Sequence, residues 1–348
     1  MNNESMVNKG LATKIDSEVV LDVRELTVHY VLEKETVEAV NNISFTLKKG
    51  RTKGLVGETG AGKTTTALSI MNLVPDPPGV IKNGTISVCG YDMLNLKPKQ
   101  IAKIRGKEIS MIFQDPMTSL NPVMTVGDQI AESVRLHEDL HKSQAFDRAM
   151  EMLELVGIPG SRATEYPHQF SGGMKQRVVI AIALACNPSV LIADEPTTAL
   201  DVTIQAQVLD MMNELKSKFN TALVMITHDL GVVAKMCDEV AVMYAGRIIE
   251  SGTLDDVFNS TMHPYTEGLF NSLPNLEKRD SELKPIPGLM PDPTKLPVGC
   301  AFAPRCQYAI DACSEARLTE QQISETHMVV CSRYNDPDFK IEGWQNNE

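Results

Sequence analysis

A chain of 348 residues is too long for one compact domain and too short for three, so one large α/β domain with a smaller C-terminal region is expected. A formal net charge of −12 speaks against nucleic acid, whose phosphates call for clustered Lys and Arg, but not against a single nucleotide, which needs only backbone donors and one or two cations. Apolar residues reach 43%, ample for a core, yet no apolar run approaches the ~20 residues that span a bilayer, and the polar start lacks a secretory signal, so a cytoplasmic chain is expected. Residues 1–17 read as a flexible tail. From Val19, VVLDVRELTVHY and then AVNNISFTL alternate as strands do. A Gly-rich turn follows, and TTTALSIMNLV reads as a helix. ISMIF (109–113), SVLIAD (189–194) and ALVMIT (222–227) are apolar throughout and give way at once to polar residues, which fits strands of a sheet covered on both faces. The stretch 127–187 is largely helical, with Ile130, Val134, Met152, Leu153 and Val156 at helical spacing. Beyond residue 272 the periodicity fails: SLPNLEKRDSELKPIPGLMPDPTKLPVG holds six prolines and reads as a linker into a small cysteine-bearing module.

Residues 57–64 read GETGAGKT, with Gly57, Gly62, Lys63 and Thr64 at the spacing of a phosphate-binding loop. Glycines let successive backbone N–H groups turn inward around a β-phosphate, and the following helix presents its positive end to the same anion. Glu58, Thr59, Gly60, Ala61 and Thr65 complete the cradle. Lys63 would bridge the β- and γ-phosphates, and Thr64 would put its hydroxyl on Mg²⁺. The apolar GLVG before the loop and the helical run after it are the context such a loop requires.

Ligands of open parallel sheets bind beyond the carboxyl ends of the strands. VLIAD ends in Asp194 and Glu195, the first suited to Mg²⁺ and the second to polarising an attacking water. ALVMIT ends in Thr227 and His228, where a histidine could bond a γ-phosphate, and ISMIF ends in Gln114, a neutral group able to reach both metal and water. Each has a bland reading alone, as a cap or a solvated turn; in series behind a phosphate loop they point to nucleotide hydrolysis.

FSGGMKQR (170–177) resembles the signature motif of ABC ATPases. The whole series, with Tyr30 as an adenine-stacking aromatic, GETGAGKT, Gln114, FSGGMKQR, VLIADE, TALD (198–201) and His228, follows that family's order over about residues 18–270. The resemblance implies an α/β fold: a P-loop ABC ATPase cassette over 18–271, with a mixed sheet core and a helical subdomain at about 115–187, then a C-terminal module over 272–348. It implies that Ser171, Gly172 and Gly173 contact ATP held by an opposite subunit, so that two composite sites form when two chains close. Met174 stands where that motif usually carries glutamine. YPHQFSGGMKQRV, QDPMTSLNPVMTV, HPYTEGLFNSLP and PIPGLMPDPTKLPVGCAFAPRC resemble, more narrowly, one of the two ATPase subunits of oligopeptide/dipeptide importers, a group that includes nickel importers. That likeness implies ATP and Mg²⁺ as ligands, a sister ATPase in a heterodimer, two membrane-spanning permeases, an external binding protein and a peripheral place on the cytoplasmic face of the membrane.

Cytoplasmic thiols stay reduced, so seven cysteines are expected as ligands or buried groups. Cys300, Cys306, Cys313 and Cys331 follow C-x5-C-x6-C-x17-C, without the tight C-x2-C pairs of zinc modules. Four thiolates match the ligand count of an iron–sulfur cluster, and the segment is similar to one that binds [4Fe–4S] in some members of the importer family. Four half-buried thiols are the plain alternative. His327 is an alternative ligand but reads rather as a surface histidine, and Cys89, Cys186 and Cys237 read as core fillers. Rival functions fit less well. A soluble ABC-type ATPase of DNA repair or translation carries coiled-coil insertions, tandem cassettes or basic surfaces; a non-catalytic partner loses the Glu or the His; and a redox protein would have damaged ATP motifs.

Overall fold

Alternating side chains lay Val19–Val31 (β1) against Thr36–Lys48 (β2) in an antiparallel pair. The computed structural model describes residues 18–198, 200–272, 285–315 and 318–342; the expected tail at 1–17 and much of the Pro-rich linker lie outside these. The chain continues through β3 (Thr52–Val56), α1 (Lys63–Ile70), β4 (Gly79–Val88), β5 (Tyr91–Asp92), α2 (Pro98–Ile104) and β6 (Ile109–Ile112). Then come α3 (Pro116–Ser119), α4 (Val126–His137), α5 (Lys142–Leu155), α6 (Gly172–Leu184), β7 (Val190–Asp194), α7 (Val202–Phe219), β8 (Ala222–Thr227) and α8 (Leu230–Met236). β9 (Glu239–Tyr244), β10 (Arg247–Thr253), α9 (Leu254–Asn259) and α10 (Pro264–Asn271) precede the C-terminal α11 (Asp311–Glu315), β11 (Gln321–Gln322) and β12 (Met328–Val329).

Two sheets form among the described residues: β2-β1-β4-β5, all antiparallel, and the mixed core sheet β11-β12-β10-β9-β3-β8-β7-β6. Every residue of β6, β7 and β8 is buried, as their apolar runs predict, and so is every residue of β3. One face of the core sheet packs with α1 and the inward residues of β1 and β2, including Leu21, Val23, Ile43 and Leu47. The other face packs with the helical region. There α5 turns Ala145, Ala149, Met152 and Leu153 inward at helical spacing. Each large apolar side chain so buried contributes about 1.5–3 kcal/mol over leaving it in water.

The C-terminal region does not stand apart. β12 pairs with β10, Glu250 opposite Val329 and Ser251 opposite Met328, so the extension lengthens the core sheet. His327 is 3% exposed, which overturns the surface reading. Its Nε2 lies 2.9 Å from Oε1 of the fully buried Glu250, whose carboxylate also accepts from the backbone N–H groups of Met262 and His263 at 2.7 and 3.0 Å. A carboxylate under a sheet edge requires donors, and the docking of β12 delivers one. Cys237 is buried as a core filler, whereas Cys89 and Cys186 are half-buried.

Candidate nucleotide site

Parallel register brings the predicted residues to one edge. Val56 pairs with Thr227, Asp194 with Ile226, and Ile112 with Ala193, so four strand ends finish level and the groups that follow them meet above the sheet. Tyr30, Thr59, Gly60, Gly62, Lys63, Thr64, Thr65, Gln114, Glu195 and His228 line one cavity of about 470 Å³ there, with Val37, Ala39 and Pro293 as its apolar wall. A larger cavity of about 710 Å³, between the antiparallel sheet and the extension, carries none of the predicted residues.

The loop between β3 and α1 needs its glycines. Gly57 has φ 154° and Gly62, which precedes α1, has φ 99°. A Cβ on the first would collide with the Met243 carbonyl oxygen and on the second with that of Ala39. Lys63 is 7% exposed and donates from Nζ to the carbonyl oxygens of Gly57 at 2.7 Å and Glu58 at 2.9 Å. Burial pushes its pKa down, against the pull of Glu195, Asp194 and Glu58. Tyr30 Oη stands 3.4 Å from Thr65 Oγ1, which ties the expected stacking ring to the start of α1.

Glu195 sits at φ 48°, a left-handed conformation that costs a non-glycine residue about 1–3 kcal/mol. Its backbone N–H donates to Ile226 at 2.9 Å, and its carboxylate accepts from Gln114 Nε2 at 2.8 Å and Thr198 Oγ1 at 2.9 Å, with His228 Nδ1 at 3.1 Å. Burial alone would raise its pKa; the hydrogen bonds from Thr198, His228 and Gln114 outweigh that and hold it below the usual glutamate range. Asp194, 3% exposed, shifts the other way: burial raises its pKa, and the Glu195 charge adds to this against the Thr64 hydroxyl and Lys63. A buried carboxylate short of compensation, with a threonine hydroxyl bonded to it, is an oxygen donor set that suits Mg²⁺ beside a phosphate. Thr198, held within the TALD motif, is the partner of Glu195 that sequence reasoning left unassigned.

Ser171, Gly172 and Gly173 do not line this cavity. Ser171 N-caps the thirteen-residue α6, accepting from Met174 N at 3.4 Å, and Ser171 and Gly172 are exposed with open space where a Cβ on Gly172 would stand. The helix therefore offers free N–H groups outward, a ready place for an anion brought by another molecule. Met174 is engaged locally: Arg162 Nη1 lies 3.5 Å from its sulfur.

The four C-terminal cysteines converge without forming a ligand set. Cys331 feels the Cys300, Cys306 and Cys313 thiols, and burial foremost pushes Cys331 up to about 12 and Cys306 up to about 11. Among the described residues no group of three or more His, Cys, Asp or Glu is disposed to hold a metal ion. The iron–sulfur expectation is thus not carried by the geometry of the described residues. Neither is any helix of the described residues long and apolar enough to cross a membrane.

Comparison with known proteins places these features. The ABC transporter family profile matches residues 40–198, and the profile of the oligopeptide/dipeptide transporter C-terminal region matches 249–313. The chain is 52% identical to the oligopeptide transport ATP-binding protein OppD of Bacillus subtilis over 312 residues, 89% of this chain and 87% of that protein. It is 49% identical to the dipeptide transport ATP-binding protein DppD of the same organism, covering 90% of this chain and 94% of that one. Among solved structures, the dimeric post-hydrolysis ATP-binding cassette MJ0796 bound to ADP and Pi superposes with a TM-score of 0.61 at 25% identity, covering 67% of this chain and 98% of that one. With its loop and its strand-end carboxylates in place, the chain belongs to the ABC transporter ATP-binding proteins of the oligopeptide/dipeptide type, as an ATP-hydrolysing subunit.

Proposed function

We propose that this chain hydrolyses ATP in the Tyr30–His228 cavity to power peptide import, as half of an ATPase dimer. The gathering of loop, Gln114, Glu195 and His228 around one space of about 470 Å³ carries the reading. Tyr30 stacks on adenine. The backbone of 57–65 cradles the phosphates, and Lys63 exchanges its two loop carbonyls for β- and γ-phosphate oxygens. Thr64 and Asp194 would hold Mg²⁺, with Gln114 in reach, and the ion would supply positive charge to the phosphate oxygens. Glu195, kept ionised by its three hydrogen-bond donors, orients and deprotonates the attacking water, and His228 fixes the γ-phosphate. Ser171 and Gly173 reach the nucleotide of the partner chain on closure, and hydrolysis reopens the dimer. Gln114 and the helical region, 115–187 of a cassette spanning 18–271, pass that motion to the permeases.

Peptide as cargo is supported by the names of the relatives that match at about half identity. The same likeness supports a sister ATPase as dimer partner, two permeases, an external binding protein and a peripheral position on the cytoplasmic face. Capture of the native assembly through this chain should bring a second ATPase and two permeases with ATP hydrolysis; a lone chain that turns over ATP at full rate and captures no permease would contradict the transport reading. For the extension over 272–348, a [4Fe–4S] centre is supported by the four-cysteine sequence pattern alone. Absorbance near 400 nm with about four irons per chain after anaerobic purification is its test; a colourless, iron-free chain would refute it.

A further inference from the structure

The loop residue Glu58 is gripped from three sides. Its carbonyl accepts from Lys63 Nζ at 2.9 Å and from Ala61 N at 3.2 Å. Its backbone N–H donates to Tyr265 Oη at 2.9 Å, from α10. Its carboxylate takes a two-pronged bond from Arg305, Nη1 to Oε2 at 2.9 Å and Nη2 to Oε1 at 3.1 Å, across 247 residues of chain. The Arg305 side chain is 7% exposed and in turn fixed: Nε donates to the Pro287 carbonyl at 2.8 Å, Nη1 to Tyr244 Oη at 3.3 Å, and the guanidinium lies 5.9 Å from the ring centre of Phe302. Phe302 packs edge-on against Tyr244 and Tyr265 at 5.3 and 5.4 Å. The same extension reaches the base side of the cavity, where Pro293 forms part of the wall and its carbonyl accepts from Glu38 N at 2.9 Å.

A carboxylate inside a loop that receives a triphosphate has the same sign of charge as its ligand. The fork of Arg305 neutralises that charge and turns it away from the anion, a geometry that a point-charge lysine cannot reproduce. We propose that Arg305 is a positioning residue for the phosphate loop: by holding Glu58, it makes nucleotide affinity depend on the docked C-terminal extension. This rests on the reading of the cavity as an ATP site. Arg305 lies in the turn between Cys300 and Cys306, so whatever changes the conformation of the cysteine segment also changes the grip on the loop.

The test is a double-mutant cycle on the full chain, reading the Kd for Mg·ATP by calorimetry and folding by thermal melting. Arg305→Gln should weaken ATP binding about tenfold by unmasking Glu58, with kcat at saturating ATP within about twofold of wild type. In a Glu58→Gln background the same change should have almost no effect on affinity, because no carboxylate is left to mask. Arg305→Lys keeps the charge but loses the fork, so its affinity should fall about threefold, between wild type and Arg305→Gln, and it serves where Arg305→Gln folds poorly. An Arg305→Gln chain that melts lower but binds ATP like wild type, or an undiminished effect in the Glu58→Gln background, would overturn the inference. Failure of the wild-type chain to bind Mg·ATP would instead overturn the site reading, and this inference with it.

Discussion

Gln114 and Glu195, 81 residues apart, meet at 2.8 Å, Nε2 donating to Oε2, above the carboxyl ends of two neighbouring parallel strands. The bond joins the residue that leads into the helical region to the carboxylate proposed to act on water. A conformational change felt at Gln114 therefore reaches Glu195 directly.

Glu195→Gln keeps the size and most hydrogen bonding of the side chain and removes its charge. The kcat for ATP should fall about 10²–10⁴-fold while the Kd for Mg·ATP stays within a few-fold. Single-turnover hydrolysis and equilibrium binding on the same preparation measure both. A variant with undiminished turnover would remove Glu195 from its role.

Ser171→Gly separates the signature hydroxyl from helix capping. Glycine is an acceptable N-cap, costing only a few tenths of a kcal/mol, so α6 should remain folded. Binding of ATP to the isolated chain should be unchanged, because Ser171 lies outside the cavity, while hydrolysis by the dimer should drop at least about tenfold, the loss of a hydrogen bond to a charged group. Equal loss of monomer binding would show that the serine acts within its own chain.

Acid should loosen the region around α10. His263 caps this helix, its Nδ1 accepting from Tyr265 N at 3.0 Å, and burial pushes its pKa down to about 3. The unfolded chain takes a proton near pH 6.5 that the folded chain refuses, so the stability from neutral His263 is present above that value and is lost as pH falls toward the folded pKa. The slope reaches at most about 1.4 kcal/mol per pH unit. Melting temperatures at pH 7.5 and 5.0 should diverge more for wild type than for His263→Asn, whose side chain can still cap the helix. Equal divergence would place the acid sensitivity elsewhere.

Much of the site was legible in sequence because its chemistry is concentrated in short runs. GETGAGKT carries its glycines, lysine and threonine within eight positions, and Asp194, Glu195 and His228 directly end apolar strands, so register alone aligns them. The contacts that sequence did not yield are long-range. Nothing local in APRC announces that Arg305 will bond a loop residue 247 positions earlier, or in DPT that Pro293 will wall the nucleotide cavity. His327 was misread for the same reason: its environment is set by Glu250 on β10, 77 residues away. Pro-rich composition reads as a linker into a small cysteine-bearing module, and no local signal in it announces that the two-residue strand β12 pairs with β10.

Binding of Mg·ATP to wild type and Lys63→Ala, by calorimetry on the purified chain, tests the central claim most directly. Wild type should bind one nucleotide per chain, and the variant should bind about 10–100-fold more weakly, the loss of hydrogen bonds between a buried ammonium and phosphate oxygens. Absence of saturable binding to wild type, or equal binding by both, would contradict the assignment of this cavity to ATP.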